Sequence, residues 1–188
     1  MEKVLLIDNY DSFTYNLYHY LEELWPQGVE VVRNDELASL DWGKYSKVVL
    51  SPGPGLPKEA GDLMKILPQI TQSHSVLGIC LGLQAVAETF NYPLKQLNKV
   101  VHGQSNTIFL KGKQSILFKG LPDSFKVGRY HSWVADFSYD GPLVKTAVDK
   151  SGEIMALEHR KLPVYAVQFH PESILSDHGK EILRNWLY

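Results

Sequence analysis

The stretch Val76-Leu77-Gly78-Ile79-Cys80-Leu81-Gly82-Leu83-Gln84 decides how the chain is read. Its first four residues form the short apolar run expected of a strand buried on both faces, and residues 81–90 continue as an almost wholly apolar helical stretch. The same change of texture recurs on either side. Val4-Leu5-Leu6-Ile7 reads as a buried strand. Phe13, Leu17, Tyr20, Leu21 and Leu24 follow it at helical spacing, with Asp11 or Ser12 placed to cap the first turn and Pro26 placed to end the last. Residues 29–32 and 48–50 read as two more strands, and Ala60, Leu63, Leu67 and Ile70 mark another helical stripe. Parallel strands need crossover connections, so this alternation predicts an α/β fold: an open, mostly parallel central sheet flanked by helices. From about Val100 the texture shifts to short β-prone stretches at 107–110, 125–127, 154–157 and 164–169, which predict additional antiparallel strands in the second half. Ile182, Leu183, Trp186 and Leu187 predict a closing helix. No repeat or linker divides the chain, so residues 1–188 are expected to form one domain.

Composition narrows the function classes. A chain of 188 residues buries roughly 68–75% of its unfolded surface and needs neither disulfide nor structural metal for stability. No uninterrupted apolar stretch approaches the roughly 20 residues that cross a bilayer, and no signal-peptide core follows Met1-Glu2-Lys3, so no membrane association is expected. Nineteen Lys and Arg against 21 Asp and Glu, without basic blocks, leave no electrostatic footprint for nucleic acid. One cysteine forms no internal disulfide, which fits a reducing, cytoplasmic setting and leaves a single thiol to explain.

That thiol, Cys80, lies where the strand at 76–79 should turn into the helix at 81–90, with Gly78 and Gly82 two residues to either side. The pattern is a cysteine version of a nucleophile elbow, in which glycines remove the Cβ atoms that would meet neighbouring backbone. The helix N-terminus favours a thiolate, and its free N–H groups, from Leu81 onward, can stabilise an oxyanion. Gln84 lies one turn further on the same face. The competing reading is a buried cysteine acting as a small hydrophobe. Among the seven histidines, His170 stands out because residues 164–169 read as a buried strand and His170-Pro171-Glu172 sits at its end. In an extended segment residues two apart share a side, so Glu172 can hold the imidazole of His170. The alternative is a solvated pair at a loop entrance. A zinc deaminase site would also require Pro-Cys-x-x-Cys, which one cysteine cannot supply. The segment Ser51-Pro52-Gly53-Pro54-Gly55-Leu56-Pro57 follows the strand at 48–50 and reads as a rigid loop whose N–H groups can face a ligand, or as a plain turn. It lacks the Gly-Lys-Ser/Thr ending of a phosphate-binding loop. His102 and His131 are open to either a site or a structural role.

Three ordered motifs, Pro52-Gly53-Pro54-Gly55, Gly78 through Gln84, and Phe169-His170-Pro171-Glu172-Ser173, together resemble the class I glutamine amidotransferases along essentially the whole chain. Within that class, Asp8-Asn9-Tyr10-Asp11-Ser12-Phe13-Thr14-Tyr15-Asn16, Val101-His102-Gly103 and Arg129-Tyr130-His131-Ser132 look like the small subunit of anthranilate synthase or aminodeoxychorismate synthase. Trp133 stands where leucine is common in that pattern, and Gln104 where lysine is common. The resemblance implies a flavodoxin-like fold and a catalytic triad of Cys80, His170 and Glu172. It implies glutamine held by Gly53, Pro54, Gly55, Gln84, Ser132 and Trp133, with the N–H groups of Gly53 and Leu81 as oxyanion donors. It implies no metal and no cofactor in this chain. It also implies a partner, the chorismate-binding synthase large subunit (component I), which receives ammonia and forms anthranilate for tryptophan or 4-amino-4-deoxychorismate for folate. A stand-alone cysteine hydrolase such as a γ-glutamyl peptidase, and a non-catalytic binding module, are the competing classes. The intact Cys80, His170 and Glu172 argue against the module, and the 8–16 and 129–132 motifs favour the synthase subunit over the peptidase.

Overall fold

In the computed structural model, which describes residues 2–112, 115–138 and 140–188, the apolar runs near the N-terminus form adjacent strands. The elements follow in the order β1 (Lys3–Asp8), α1 (Thr14–Leu24), β2 (Val29–Arg33), β3 (Tyr45–Leu50), α2 (Leu63–Ser73), β4 (Ser75–Ile79) and α3 (Leu81–Thr89). They continue with β5 (Leu94–Leu110), β6 (Ser124–Ala135), β7 (Leu143–Asp149), β8 (Ile154–His159), β9 (Val164–Val167) and α4 (Gly179–Leu187). Among the described residues these strands make one nine-stranded sheet in the order β2-β1-β3-β4-β9-β8-β7-β5-β6. The pairs from β2 to β9 are parallel, and those from β9 to β6 antiparallel. The expected α/β class and the change of strand sense are therefore both present.

The unbroken apolar runs are explained by burial on both faces. Alternate side chains of a strand point to opposite sides. Val4 and Leu6 accordingly pack with Leu17 and Leu21 of α1 and Ile182, Leu183 and Trp186 of α4. Leu5 and Ile7 pack with Leu63, Leu67 and Ile70 of α2 and Leu81, Leu83 and Val86 of α3. Emptying any one of these positions to alanine removes roughly 2–5 kcal/mol. Among the described residues no helix is long and apolar enough to cross a membrane.

Three local readings change. Asp11 does not cap α1 from within the helix: its Oδ1 accepts from Phe13 N at 2.8 Å, one residue before the first turn, while Thr14 Oγ1 donates to Asp8 Oδ1 at 2.7 Å. Ala60 is buried but precedes α2. The second half holds much more strand than its apolar stretches suggested: β5 runs through 17 residues, mostly exposed or half-buried, and β7 lies outside every predicted stretch.

The approach of α3 to the sheet is a tight packing constraint. A Cβ on Gly82 would lie 2.6 Å from Leu50 O, and one on Gly78 would lie 2.5 Å from Gly82 O. Both obstacles are backbone, so neither moves cheaply. Gly82→Ala is expected to lower the free energy of unfolding by about 1–3 kcal/mol through overpacking. At Gly43, where the nearest atom to a new Cβ is Asp41 Oδ1 at 3.4 Å, the same change should fall within about 0.5 kcal/mol. Urea denaturation midpoints compare the two, and equal midpoints would refute the close approach.

Candidate active site

The parallel strands open the site at their carboxyl ends, the edge where open α/β sheets carry their ligands. β4 ends at Ile79, and Cys80 turns the chain into α3 with φ 53° and ψ −100°, a strained conformation that non-glycine residues rarely adopt. Cys80 N donates to Val167 O at 2.8 Å, which fixes the turn against the end of β9. The side chain is 5% exposed. Its sulfur lies 3.6 Å from Gln168 Nε2 and 3.9 Å from Tyr130 O.

His170 and Glu172 come together, by a route other than the expected one. β9 stops at Val167, and residues 170–173 form a turn closed by Ser173 N donating to His170 O at 3.1 Å. Within that turn His170 Nδ1 and Glu172 Oε1 lie 2.7 Å apart, both side chains buried. His170 N donates to Gly128 O at 3.0 Å, tying the turn to β6. The rings of Tyr130 and Phe13 meet the imidazole edge-on, at 4.8 and 5.3 Å between centroids. Burial by itself disfavours the imidazolium, but hydrogen bonding to Cys80 and to Glu172, together with their charges, outweighs it and pushes the pKa of His170 up to about 10. His170 Nε2 nonetheless has no partner at full hydrogen-bond geometry among the described residues. The thiol–imidazole contact is thus a loose one.

Two cavities meet at Cys80. One, of about 240 Å³, is lined by Gly53, Pro54, Gly55, Leu81, Gln84, Ser132 and Trp133, every residue expected to hold a ligand, together with Cys80, Val100, Val101, His102, Tyr130 and His131. The other, of about 380 Å³, is lined by residues 10–13 and 52–54, Cys80, His102, Tyr130 and His170. The 52–55 loop is seated from below: Asn9 N donates to Ser51 Oγ at 2.8 Å, and Asn9 Nδ2 to Ser51 O at 2.9 Å. A Cβ on Gly53 would meet Asn9 Cβ at 2.6 Å and Leu81 Cδ2 at 2.7 Å, so only glycine lets the loop lie this close to the α3 N-terminus. Gly55, at φ +70°, turns the loop outward.

Gln84, 3% exposed, donates from Nε2 to Trp133 O at 3.0 Å. His131 Nδ1 reaches the same carbonyl at 3.0 Å. Burial and the Arg129 guanidinium push His131 down to about 3, so this histidine is neutral where His170 is charged. Opposite Ser132 the β5–β6 ladder is interrupted: Trp133 pairs with Gln96 and His131 with Val101, leaving residues 97–100 outside the register. Sequence reasoning quoted Asn9, Ser51, Tyr130 and Gln168 within motifs or strands but gave none of them a role of its own in the site. Gln168 had one visible signal, a polar residue inside the apolar run Val164-Tyr165-Ala166-Val167-Gln168-Phe169.

Comparison with known proteins follows the same lines. The family described as glutamine amidotransferase class-I matches residues 5–188. The aminodeoxychorismate synthase component 2 of Escherichia coli is 43% identical over 188 residues, covering 98% of this chain and 99% of that one. The aminodeoxychorismate/anthranilate synthase component 2 of Bacillus subtilis is 40% identical over 187 residues, covering 98% and 95%. A glutamine amidotransferase of Thermotoga maritima shares the fold, with a TM-score of 0.76 at 17% identity over 99% of this chain and 96% of that one.

The surroundings of His170 set a pH window. Its folded-state pKa of about 10 exceeds the ordinary 6.5, so the stability it contributes is complete below pH 6.5 and is lost as pH rises through about 10. Glu172→Gln keeps an acceptor but removes one charge. The His170 ring resonances are expected to titrate at lower pH in that variant by NMR, and the alkaline loss of stability to begin earlier in urea denaturation. An unchanged titration would show that Glu172 does not hold the proton.

Proposed function

The chain belongs to the class I glutamine amidotransferases, and on that premise we propose that it is the glutaminase subunit of a chorismate-using synthase, with residues 1–188 acting as one amidotransferase domain. The observation that carries this reading is Cys80 on its strained turn, beside a charged, buried His170–Glu172 pair and open to a cavity sized for a small polar molecule.

In this reading glutamine lies in the 240 Å³ cavity with its side-chain amide at Cys80. The thiolate attacks the amide carbon, and the carbonyl π electrons move to oxygen. Backbone N–H groups of Leu81, at the helix start, and Gly53 stabilise the oxyanion. His170 donates its proton to the amide nitrogen, the C–N bond breaks, and neutral ammonia leaves a γ-glutamyl thioester. The now neutral His170 takes a proton from water, the resulting hydroxide attacks the thioester carbonyl, and the C–S bond breaks to return thiolate and release glutamate. Glu172 keeps the imidazole oriented and stabilises its cation without taking its proton.

His170 lines only the second cavity, so the nitrogen it protonates leaves on that side. Tyr10 on this cavity and Val100 on the first are each more than half exposed, and Ile174, 98% exposed, follows the 170–173 turn. Tyr10 and Val100, uncovered on the two cavities, and Ile174 just beyond the turn support docking of a synthase large subunit, component I, which binds chorismate and forms anthranilate or 4-amino-4-deoxychorismate. Free glutamine would otherwise be hydrolysed without use, so turnover is expected to depend on that partner. The chemistry asks for no metal or cofactor in this chain, and the setting that fits it is the cytoplasm.

Cys80→Ala should abolish glutamine-dependent synthesis by the reconstituted complex while leaving synthesis from added ammonium salt intact. The wild-type chain should hydrolyse glutamine faster once a synthase subunit and chorismate are present, and mass spectrometry of the product identifies which aromatic amine forms. Strong glutaminase activity that the partner leaves unchanged would favour a stand-alone hydrolase, and near-wild-type glutamine use by Cys80→Ala would remove Cys80 from the mechanism.

A further inference from the structure

Behind the first cavity runs a chain of buried polar contacts that includes none of Cys80, His170 or Glu172. It begins at Asp149, at the end of β7. Asp149 Oδ1 accepts from Ser151 N at 2.9 Å and Glu153 N at 3.0 Å, so the β7–β8 turn holds the carboxylate in place. Its Oδ2 accepts from Arg129 Nη1 at 2.7 Å. Arg129 Nε donates to His131 Nε2 at 3.0 Å. The ring proton must therefore sit on Nδ1, from which it is donated to Trp133 O at 3.0 Å. Gln84 Nε2 donates to that same carbonyl, at 3.0 Å. With one amide N–H committed there, Gln84 keeps its Oε1 as the acceptor it can offer a ligand in the cavity it lines.

Two features show that this chain does more than fill the core. A buried ion pair is a poor source of stability, because desolvation takes back most of the Coulombic gain. What the Asp149–Arg129 pair supplies is direction: it leaves His131 one tautomer and one ring orientation. The second feature is the gap in the ladder. Residues 97–100 depart from β5 just opposite Ser132, so the strand partner that would ordinarily fix the backbone between His131 and Trp133 is missing. The side-chain relay supplies the constraint that the ladder does not.

We propose that Arg129 and His131, anchored by Asp149, are positioning residues for the amino-acid substrate: they fix the Trp133 carbonyl and, through it, the amide of Gln84. The inference rests on the cavity being the glutamine site. It assigns to the Arg129-Tyr130-His131-Ser132 motif a role in substrate affinity that is separate from the chemistry at Cys80.

The test compares two near-isosteric changes that affect opposite ends of the ring. In His131→Gln the amide reaches toward the Nε2 position and keeps a partner for Arg129, but the donor to Trp133 O is lost. In His131→Asn the amide N–H takes the place of Nδ1–H and keeps that donor, while Arg129 loses its acceptor. Glutamine hydrolysis by the full chain with its synthase partner is measured as KM and kcat. Inactivation by iodoacetamide, which needs Cys80 and no amino-acid pocket, is measured alongside. His131→Gln and Arg129→Met should raise KM about tenfold with kcat within about threefold, and should leave the iodoacetamide rate unchanged. His131→Asn should keep KM within about threefold of the parent chain. A purely structural role predicts that the Asn and Gln variants are impaired alike, with losses that track their thermal midpoints, and that result overturns the proposal. So does an unchanged KM in both His131→Gln and Arg129→Met. If wild-type turnover instead proves indifferent to Cys80→Ala, it is the assignment of the reaction that fails, and the KM comparison distinguishes the two failures.

Discussion

The site depends on how closely α3 lies against the end of the sheet. Gly82 rests on the backbone of Leu50 and Gly78 on the carbonyl of Gly82, so strand, turn and helix leave no room for side chains at those two positions. Only with that contact closed does Cys80 sit at φ 53° with its N–H on Val167 and its sulfur turned toward Tyr130 and Gln168. Holding a non-glycine residue in this region costs about 1–3 kcal/mol. Burial of Leu81, Leu83 and Val86, at roughly 1.5–3 kcal/mol each, offsets it several times over. The same contact sets the reach of Gln84, one turn along, to the Trp133 carbonyl. Strain at Cys80 and order in the adjoining cavity thus come from one packing decision.

Around that turn the protein places two buried histidines in opposite charge states. His170 has a carboxylate on Nδ1 and the cysteine as its other partner, and these overcome burial to keep it protonated up to about pH 10. His131 faces a guanidinium at Nε2 and a carbonyl at Nδ1, and burial and Arg129 act together to keep it neutral down to about pH 3. Burial disfavours the cation in both cases, so the neighbours decide the outcome. In the proposed roles the contrast matches different duties: a ring that gives up a proton and recovers it is served by an anionic setting, whereas a ring that only orients a carbonyl is served by a tautomer that does not change.

Legibility in the sequence followed burial. The apolar runs of β1, β3 and β4 were visible because helices cover both faces there, whereas the half of β3 that carries Ser46 and Lys47 was not. β5 before Thr107 was invisible because Lys95, Gln96, Gln104 and Ser105 are exposed and the strand pairs as a ribbon with breaks in register. β7 was hidden for a related reason: its bulges between Lys145 and Val148 disturb the alternation that a strand facing one core would show. At the site, the glycines flanking Cys80 and the His-Pro-Glu segment could be read because their chemistry is local. The places of Asn9, Ser51 and Gln168 in the site depend on β1 lying beside β3 and β4 beside β9, and that of Tyr130 on β6 meeting the Cys80 turn; apart from the polar Gln168 inside an apolar run, contacts so distant in the chain leave no trace in local spacing.

The arrangement of the two cavities constrains the order of events in the proposed reaction. They share Gly53, Pro54, Cys80, His102 and Tyr130, so the thiol stands at their seam. Gln84, Ser132 and Trp133 belong to one side only, and His170 and residues 10–13 to the other. A substrate anchored on the first side presents its amide at the seam with the leaving nitrogen toward the imidazole. After the C–N bond breaks, the acyl group remains tethered where it was anchored, and ammonia is already in the other compartment. Water for the second half-reaction must then come to His170 from the side the ammonia has vacated.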